Sequence, residues 1–326
     1  MTLGEATQRS AAAAKDWLQA VAQGWDQFWF AAAAPHSLAL IRILGGAMLL
    51  YTHLVWALDL NAFLGPQSWV SQEANQVLTG GGGGGDYTWS YLWYLESPGA
   101  LWTAHIAALF VFAALTVGFC TRVSAVLAWI ATLAYCHRLQ GALFGLDQVN
   151  AMIAMYLVVG PSGAVYSVDA WWRSRRQRVE AGSLDSVSAN VAIRLIQVHL
   201  SIVYLFGGIS KLKGTSWWDG SAVWFAVANY EYQSLDMTWL AHWPWLIALL
   251  SHATVFWETF YPVLVWPRLT RPVMLAMAVA VHGGIALCLG MPTFGLAMII
   301  ANVAFVPPGF VDAAVGIMVP RRQEAA

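Results

Sequence analysis

The sequence predicts an all-α fold: a polytopic membrane helix bundle of about eight transmembrane helices, preceded by an interfacial amphipathic helix. Three observations predict it. Of 326 residues, 59% are hydrophobic and only 10% are charged, where soluble domains carry about 25% charge. The apolar residues fall into runs near the ~20 residues that a bilayer core requires. The 19 tryptophans suit membrane–water interfaces. The expected partner is therefore the lipid bilayer. A formal net charge of −1 argues against a nucleic-acid partner.

Taken in order, residues 1–10 are polar and expected to be mobile. Ala11–Ala34 reads as a helix with Trp17, Val21, Trp25, Phe28 and Trp29 largely on one side. Lys15, Asp16 and Asp26 interrupt it too often for a span, so it is expected to lie on the bilayer. Residues 1–35 thus form one segment, 36–312 the membrane domain and 313–326 a cytoplasmic tail. The eight expected spans are 37–58, 100–119, 123–140, 147–166, 191–212, 243–266, 272–290 and 292–311. Prolines disturb the fourth and eighth: Pro161 in one, and Pro292, Pro307 and Pro308 in the other. A long loop, 59–99, holds six consecutive glycines, Gly80–Gly85, read as a flexible linker rather than a phosphate cradle. Arg and Lys gather on one side of an eight-span arrangement: Arg122, Arg173, Arg175, Arg176, Arg178, Arg268, Arg271, Arg321 and Arg322. The positive-inside bias then places both termini in the cytoplasm and Lys211 at the outer end of the fifth span. Cys120, Cys136 and Cys288 lie in or beside apolar runs without CxxC spacing, as inert helix cysteines do.

Polar residues inside apolar runs are the candidate site. Gln197, Tyr204 and Lys211 recur every seven residues and so share one helical stripe. Gly207 and Gly208 remove side chains beside Lys211, which admits a neighbouring helix or a flat ligand. Lys211 itself is either an ammonium snorkelling outward or a buried amine acting as general base. Glu258 lies near the middle of the sixth span and is either paired and functional or a packed carboxylic acid. His282, in the seventh, is either a satisfied core residue or part of the site. His252 and Asp147 match the same depth. Trp217 and Trp218 are expected at the outer interface, and Asp219 either starts the following helix or pairs with a lysine. Arg42 reads as a snorkelling cation or half of an internal ion pair. No HExxH, paired CxxC, GxSxG or acidic cluster is present, so no metal site is expected.

At IVYLFGGISKLKGTSWWDG the sequence resembles the HTTM domain, the membrane domain shared with vitamin K-dependent γ-carboxylases. SLALIRILGGAML, VGFCTRVSAVLAW, PSGAVYSVDAWW, HATVFWE and the helix from His282 to Phe294 are similar to further family segments, over about 36–312. The resemblance implies a multi-pass protein, compact and bacterial in type, in a cytoplasmic membrane. It implies a carboxylase/epoxidase activity of the lyase class, with Lys211 as the base toward a reduced quinone of the menaquinol or vitamin K hydroquinone type. O2 would then give a strongly basic alkoxide, which removes a γ-proton from glutamate before CO2 adds. The catalytic candidates are Lys211, Glu258 and His282. The cofactor-binding candidates are Tyr204, Gly207, Gly208, Trp217 and Trp218. Two departures stand out: Ser210 replaces the adjacent lysine of the animal enzymes, and the large extramembrane domain is not expected. The alternative is a maturation or export factor for a secreted or membrane-associated peptide, of the sporulation-delaying-toxin type and without redox chemistry. A structural or transport bundle, with Lys211 as anchor, is the third reading.

Overall fold

A computed structural model describes residues 3–65, 67–78, 88–176 and 184–318. The Gly80–Gly85 run, Arg178, Arg321 and Arg322 lie outside the described residues. The described chain is helical throughout, with one isolated β-bridge, Ala33–Ser186, and no strand.

Helix α1 spans Leu3–Phe30, so the N-terminal polar residues expected to be mobile are helical from Leu3 onward. Trp17, Leu18, Val21 and Trp25 are exposed along it. Its last turn docks on the bundle. Helix α2 is His36–Trp56, and a 3-10 turn leads into α3, Leu60–Leu64. Helix α4, Gln72–Leu78, and a 3-10 turn at Tyr91–Tyr94 fold the described parts of the 59–99 loop onto the bundle. There Asn75 donates to the His137 carbonyl and Ser90 to the Ala134 carbonyl. Helices α5, Pro98–Val117, and α6, Thr121–Arg138, form a hairpin. Helix α7, Gly145–Val159, stops before Pro161, whose ring disfavours helix in the preceding residue. Helix α8, Val168–Arg176, is short and basic. The long α9, Val187–Leu212, runs back through the bundle. Helices α10, Thr215–Trp218, and α11, Ala222–Val227, cap its far end. Then come α12, Pro244–Leu264, and α13, Arg271–Cys288. Helices α14, Pro292–Asn302, and α15, Pro308–Met318, close the described chain. Residues 313–318, expected in a tail, belong to α15.

Each expected span has a helical counterpart, but fewer than eight are long and apolar enough to cross a membrane. Among the described residues four are: His36–Leu64, Pro98–Val117, Val187–Leu212 and Arg271–Cys288. A fifth is obtained if the last two segments, Pro292–Phe305 and Pro308–Ile317, bent by 117° at the adjoining prolines, count as one. Helix α7 has 15 residues, about 22 Å of rise, short of a ~30 Å hydrocarbon core. Helix α6 carries Arg122, His137 and Arg138, and α12 is diluted by Trp, Tyr, His252 and Glu258. The core is continuous, from Leu38 and Ile41 through Phe112, Tyr135 and Ile153 to Ile196, Tyr204 and Tyr261.

One end of the bundle is locked by Arg42, which is fully buried. It neither snorkels nor pairs with a carboxylate, as the sequence suggested. Its guanidinium donates to four carbonyls: Ser162 (3.0 Å), Leu115 (2.7 Å), Thr116 (2.6 Å) and Tyr166 (2.6 Å). Gly118, at φ 71°, makes the turn out of α5, and a Cβ there would stand 2.8 Å from Arg42 Nη1. Beside it, Asp169 accepts from the amides of Cys120 (2.9 Å) and Thr121 (2.7 Å) and from the Thr121 hydroxyl (2.6 Å). The open start of α6 is thereby capped from another element. Burial alone would raise the Asp169 carboxyl, but these hydrogen bonds outweigh it and hold the group below its usual range. Three of the segments noted in the sequence, around Arg42, Cys120 and Asp169, thus meet in one structural knot.

Candidate functional site

At the opposite end, α9 and α12 carry the polar residues inward. The seven-residue stripe is present: Gln197 donates to the Ala304 carbonyl (2.7 Å), and Tyr204 and Lys211 follow two and four turns later on the same side. Lys211 Nζ donates to Glu258 Oε2 at 2.6 Å. The Lys211 side chain is 27% exposed and that of Glu258 10%. For Glu258 the pair is the reading observed, and its partner is Lys211, an arrangement that neither reading of the lysine named. The two glycines divide the remaining work. Gly208 lets α12 approach, since a Cβ there would stand 2.7 Å from the Thr259 amide nitrogen. Gly207 faces the pair, and its Cβ would stand 3.2 Å from Glu258 Oε2.

About two turns deeper lies a second polar layer. Asn302 Nδ2 donates to the Met298 carbonyl (2.9 Å) and to the Tyr204 hydroxyl (3.0 Å), which fixes the orientation of the amide. Its carbonyl oxygen accepts from Tyr261 OH at 2.5 Å. Tyr204, already accepting from Asn302, has its own proton to give to His282 Nε2 at 2.8 Å. The imidazole then carries its proton on Nδ1, which is buried without a partner. Tyr204 packs edge-on to Trp257 and tilted against Tyr261, with centroids 5.0 and 4.1 Å away. The layer is a chain of hydrogen bonds, Tyr261–Asn302–Tyr204–His282, beneath the Lys211–Glu258 pair.

The other candidates separate. Trp217 places its ring centroid 5.4 Å from Lys211 Nζ, a cation–π contact. Trp218 points outward, 55% exposed, with Nε1 bonded to the Leu212 carbonyl (2.7 Å). His252 bonds the Trp218 carbonyl (3.1 Å) rather than joining the pair. Asp219 bonds the amide and hydroxyl of Ser221, which hold its carboxyl below the usual range, so it starts α11. Asp147 accepts from the Phe144 amide at the start of α7 and is not brought to Lys211. It lies instead near a buried group on α2, α5 and α6. In that group His105 bonds Tyr135 OH (2.6 Å) and the His53 carbonyl (3.1 Å). The three cysteines are free. Among the described residues no set of three His, Cys, Asp or Glu residues is arranged to hold a metal.

Sequence reasoning missed Asn302, Tyr261 and Trp257. Asn302 carried a usable signal, a lone amide in the apolar run PTFGLAMIIAN. Tyr261 follows Glu258 by three residues, which puts both on one face of α12.

What the arrangement can do chemically is pass a proton between an amine and a carboxylate. It offers an amine and a carboxylate in contact, one part-exposed, next to a position kept clear of side chains. No similar protein was found among curated proteins or among solved structures. The family model of the HTTM domain matches residues 86–310. The match takes in both polar layers and the Asp169 side of the knot; α2 with Arg42 lies ahead of it. Its apolar helices mark the chain as an integral membrane protein, and with more than two thirds of its length matched it belongs to the HTTM family, whose domain is found in vitamin K-dependent carboxylase-like membrane proteins.

Proposed function

We propose that this protein is a quinol-dependent membrane enzyme of the γ-carboxylase-like kind, with Lys211 as its general base. The observation that carries the reading is the 2.6 Å contact between Lys211 Nζ and Glu258 Oε2, at a place where charge is costly unless it is used or paired. The surroundings suit a flat, hydroxylated ring. At Gly207 a Cβ would stand 3.9 Å from Lys211 Nζ, so its absence leaves the pair approachable. The Trp217 ring supplies an aromatic wall beside the ammonium. The buried hydrogen-bond chain from Tyr261 to His282 supports the pair from beneath and is a positioning layer.

A quinol of the menaquinol or vitamin K hydroquinone type would supply, with O2 and CO2, the oxidative carboxylation chemistry. The chain's own part is proton movement. Lys211 Nζ passes a proton to Glu258 Oε2 across the 2.6 Å bond, leaving a neutral amine beside a carboxylic acid. That amine then accepts the hydroxyl proton of the bound ring. Because Lys211 is part-exposed and Glu258 is not, the surplus proton leaves through Nζ. An exported peptide bearing glutamate is the proposed acceptor of CO2.

The proposed topology has eight crossings in a bacterial cytoplasmic membrane, with both termini and the Arg42 knot inside. It is supported by Arg122, Arg173, Arg175, Arg176, Arg268 and Arg271 falling at the Arg42 end. Reporter fusions after residues 176 and 230 should give opposite sides, and the same side for both refutes it.

The functional test is mass spectrometry of an organic extract of the purified protein, followed by quinol consumption with and without CO2. The expected result is a retained quinone and an epoxide product that Lys211→Ala does not form. Full turnover by Lys211→Ala removes Lys211 as the base. The absence of both retained quinone and turnover removes the redox reading and leaves peptide maturation or export.

A further inference from the structure

A second site lies at the other end of the bundle, away from Lys211. A cavity of about 770 Å³ opens between the start of α2, the side of α9, the start of α13 and the α14–α15 elbow. Three guanidiniums line it, Arg194, Arg268 and Arg271, and no Asp or Glu does. Three like charges gathered at one rim repel one another, and an anion seated between them would relieve that repulsion.

The hydrogen bonds of these arginines leave donors to spare. Arg194 bonds the Phe28 carbonyl through Nε (3.2 Å) and Gln197 Oε1 through Nη1 (3.0 Å). Arg271 bonds the Val265 carbonyl through Nε (3.1 Å) and the Trp266 carbonyl through Nη2 (2.6 Å). So Nη2 of the first and Nη1 of the second remain open. Arg268 makes no hydrogen bond or ion pair among the described residues, and its side chain is exposed. The Pro307–Pro308 elbow also puts the start of α15 at the rim, where a helix macrodipole adds positive potential.

The rest of the wall is apolar, including Ile193, Leu275, Phe305 and Phe310. Next to it, Phe28 of α1 stacks under Arg194 at 4.2 Å, and α1 continues with exposed Trp25, Val21 and Trp17. A cationic floor, an apolar wall and an adjoining amphipathic helix match a ligand with a phosphodiester head and acyl chains. We propose that this cavity binds the headgroup of an anionic phospholipid, with the phosphate between Arg194, Arg268 and Arg271. The site does not depend on the activity proposed for Lys211.

The test uses the full chain in detergent, with thermal midpoints measured against added phosphatidylglycerol, phosphatidylcholine or inorganic phosphate. Phosphatidylglycerol should raise the midpoint in a concentration-dependent way, and the other two should not. Native mass spectrometry should show phosphatidylglycerol retained. Arg268→Gln should weaken that binding about five-fold. Its lipid-free midpoint should stay at the wild-type value, since Arg268 holds nothing in the fold. Arg268→Lys, which keeps the charge, should retain most of the binding. Equal stabilisation by both phospholipids, or wild-type binding by Arg268→Gln, overturns the proposal. Inorganic phosphate matching phosphatidylglycerol overturns the lipid assignment in favour of a soluble anion.

Discussion

Arg42 and Lys211 are both cations carried into the bundle, one toward each end, and they are held in opposite ways. Arg42 is fully buried and meets four backbone carbonyls from two separate segments. It has no carboxylate partner, and a planar fork of five donors suits that many acceptors. Lys211 meets one carboxylate, keeps two of its three N–H groups free of protein acceptors, and is 27% exposed. A fully buried group with four of its five donors engaged can only hold structure. A group left part-satisfied beside an empty position can receive something. By that contrast the two ends separate into a fastener and a site, although residue type and membrane depth alone would class both as buried cations.

Removing the fastener should have the largest effect. Arg42→Met takes the side-chain donor from four carbonyls, of which Leu115 still accepts from the Gly118 amide, a loss of about 3–5 kcal/mol. The expected outcome is a collapse of monodisperse yield and of the thermal midpoint in detergent. Arg42→Lys, charged but without the fork, should recover only part. A wild-type midpoint for Arg42→Met would erase the contrast at its firmest point.

The site should respond in activity instead. Lys211→Met is expected to lower quinol-dependent turnover by about 10²- to 10⁴-fold, the range of a lost general base. The double variant Lys211→Met/Glu258→Gln removes both charges, so no lone carboxylate is left buried. It should melt near wild type and be equally inactive. A double variant that is active, or one that unfolds as Arg42→Met does, would make Lys211 a second fastener.

How far the sequence foretold this depends on which coordinate is asked for. Apolar runs gave the helices and their order, because bilayer length and helical rise are local constraints. Order along the helices was also readable, and it put Lys211, Glu258, Tyr204 and His282 at one end of the bundle, where Lys211 meets Glu258 and Tyr204 meets His282. Rotation about the membrane normal was not readable, since packing sets it. Asp147 and His252 share that depth yet turn to a helix start and to the Trp218 carbonyl. Arg42 was misread for another reason: its partners are main-chain carbonyls, which no side-chain pattern announces. Asn302 was legible as an isolated polar residue and was overlooked.

The paired glycines sharpen the comparison at smaller cost. Gly208→Ala sets a Cβ 2.7 Å from the Thr259 amide nitrogen, and backbone cannot yield easily there. The expected loss is about 1–3 kcal/mol of stability, read as a lower thermal midpoint. Gly207→Ala meets the end of the Glu258 side chain at 3.2 Å, which can shift. Its midpoint should hold, helped by the better helix propensity of alanine, while quinol turnover falls. The reverse pattern would mean that the empty position beside Lys211 serves only helix packing.

The smallest effect concerns pH at the fastener end. Asp169 accepts three hydrogen bonds from Cys120 and Thr121, and these hold its carboxyl below the usual range despite burial. The folded value thus lies under the unfolded one, about 3.9. The carboxylate's contribution is then complete above about pH 5 and is lost as pH falls through the folded value. Asp169→Asn keeps an acceptor but loses the charge that strengthens three donors. A cost of about 1 kcal/mol at pH 7 is expected, comparable to a weakened helix cap. The gap between the two proteins should close as both are melted at successively lower pH below 4. A gap that stays constant down to pH 3 would mean that shape, and not charge, is what Asp169 contributes to the knot around Arg42.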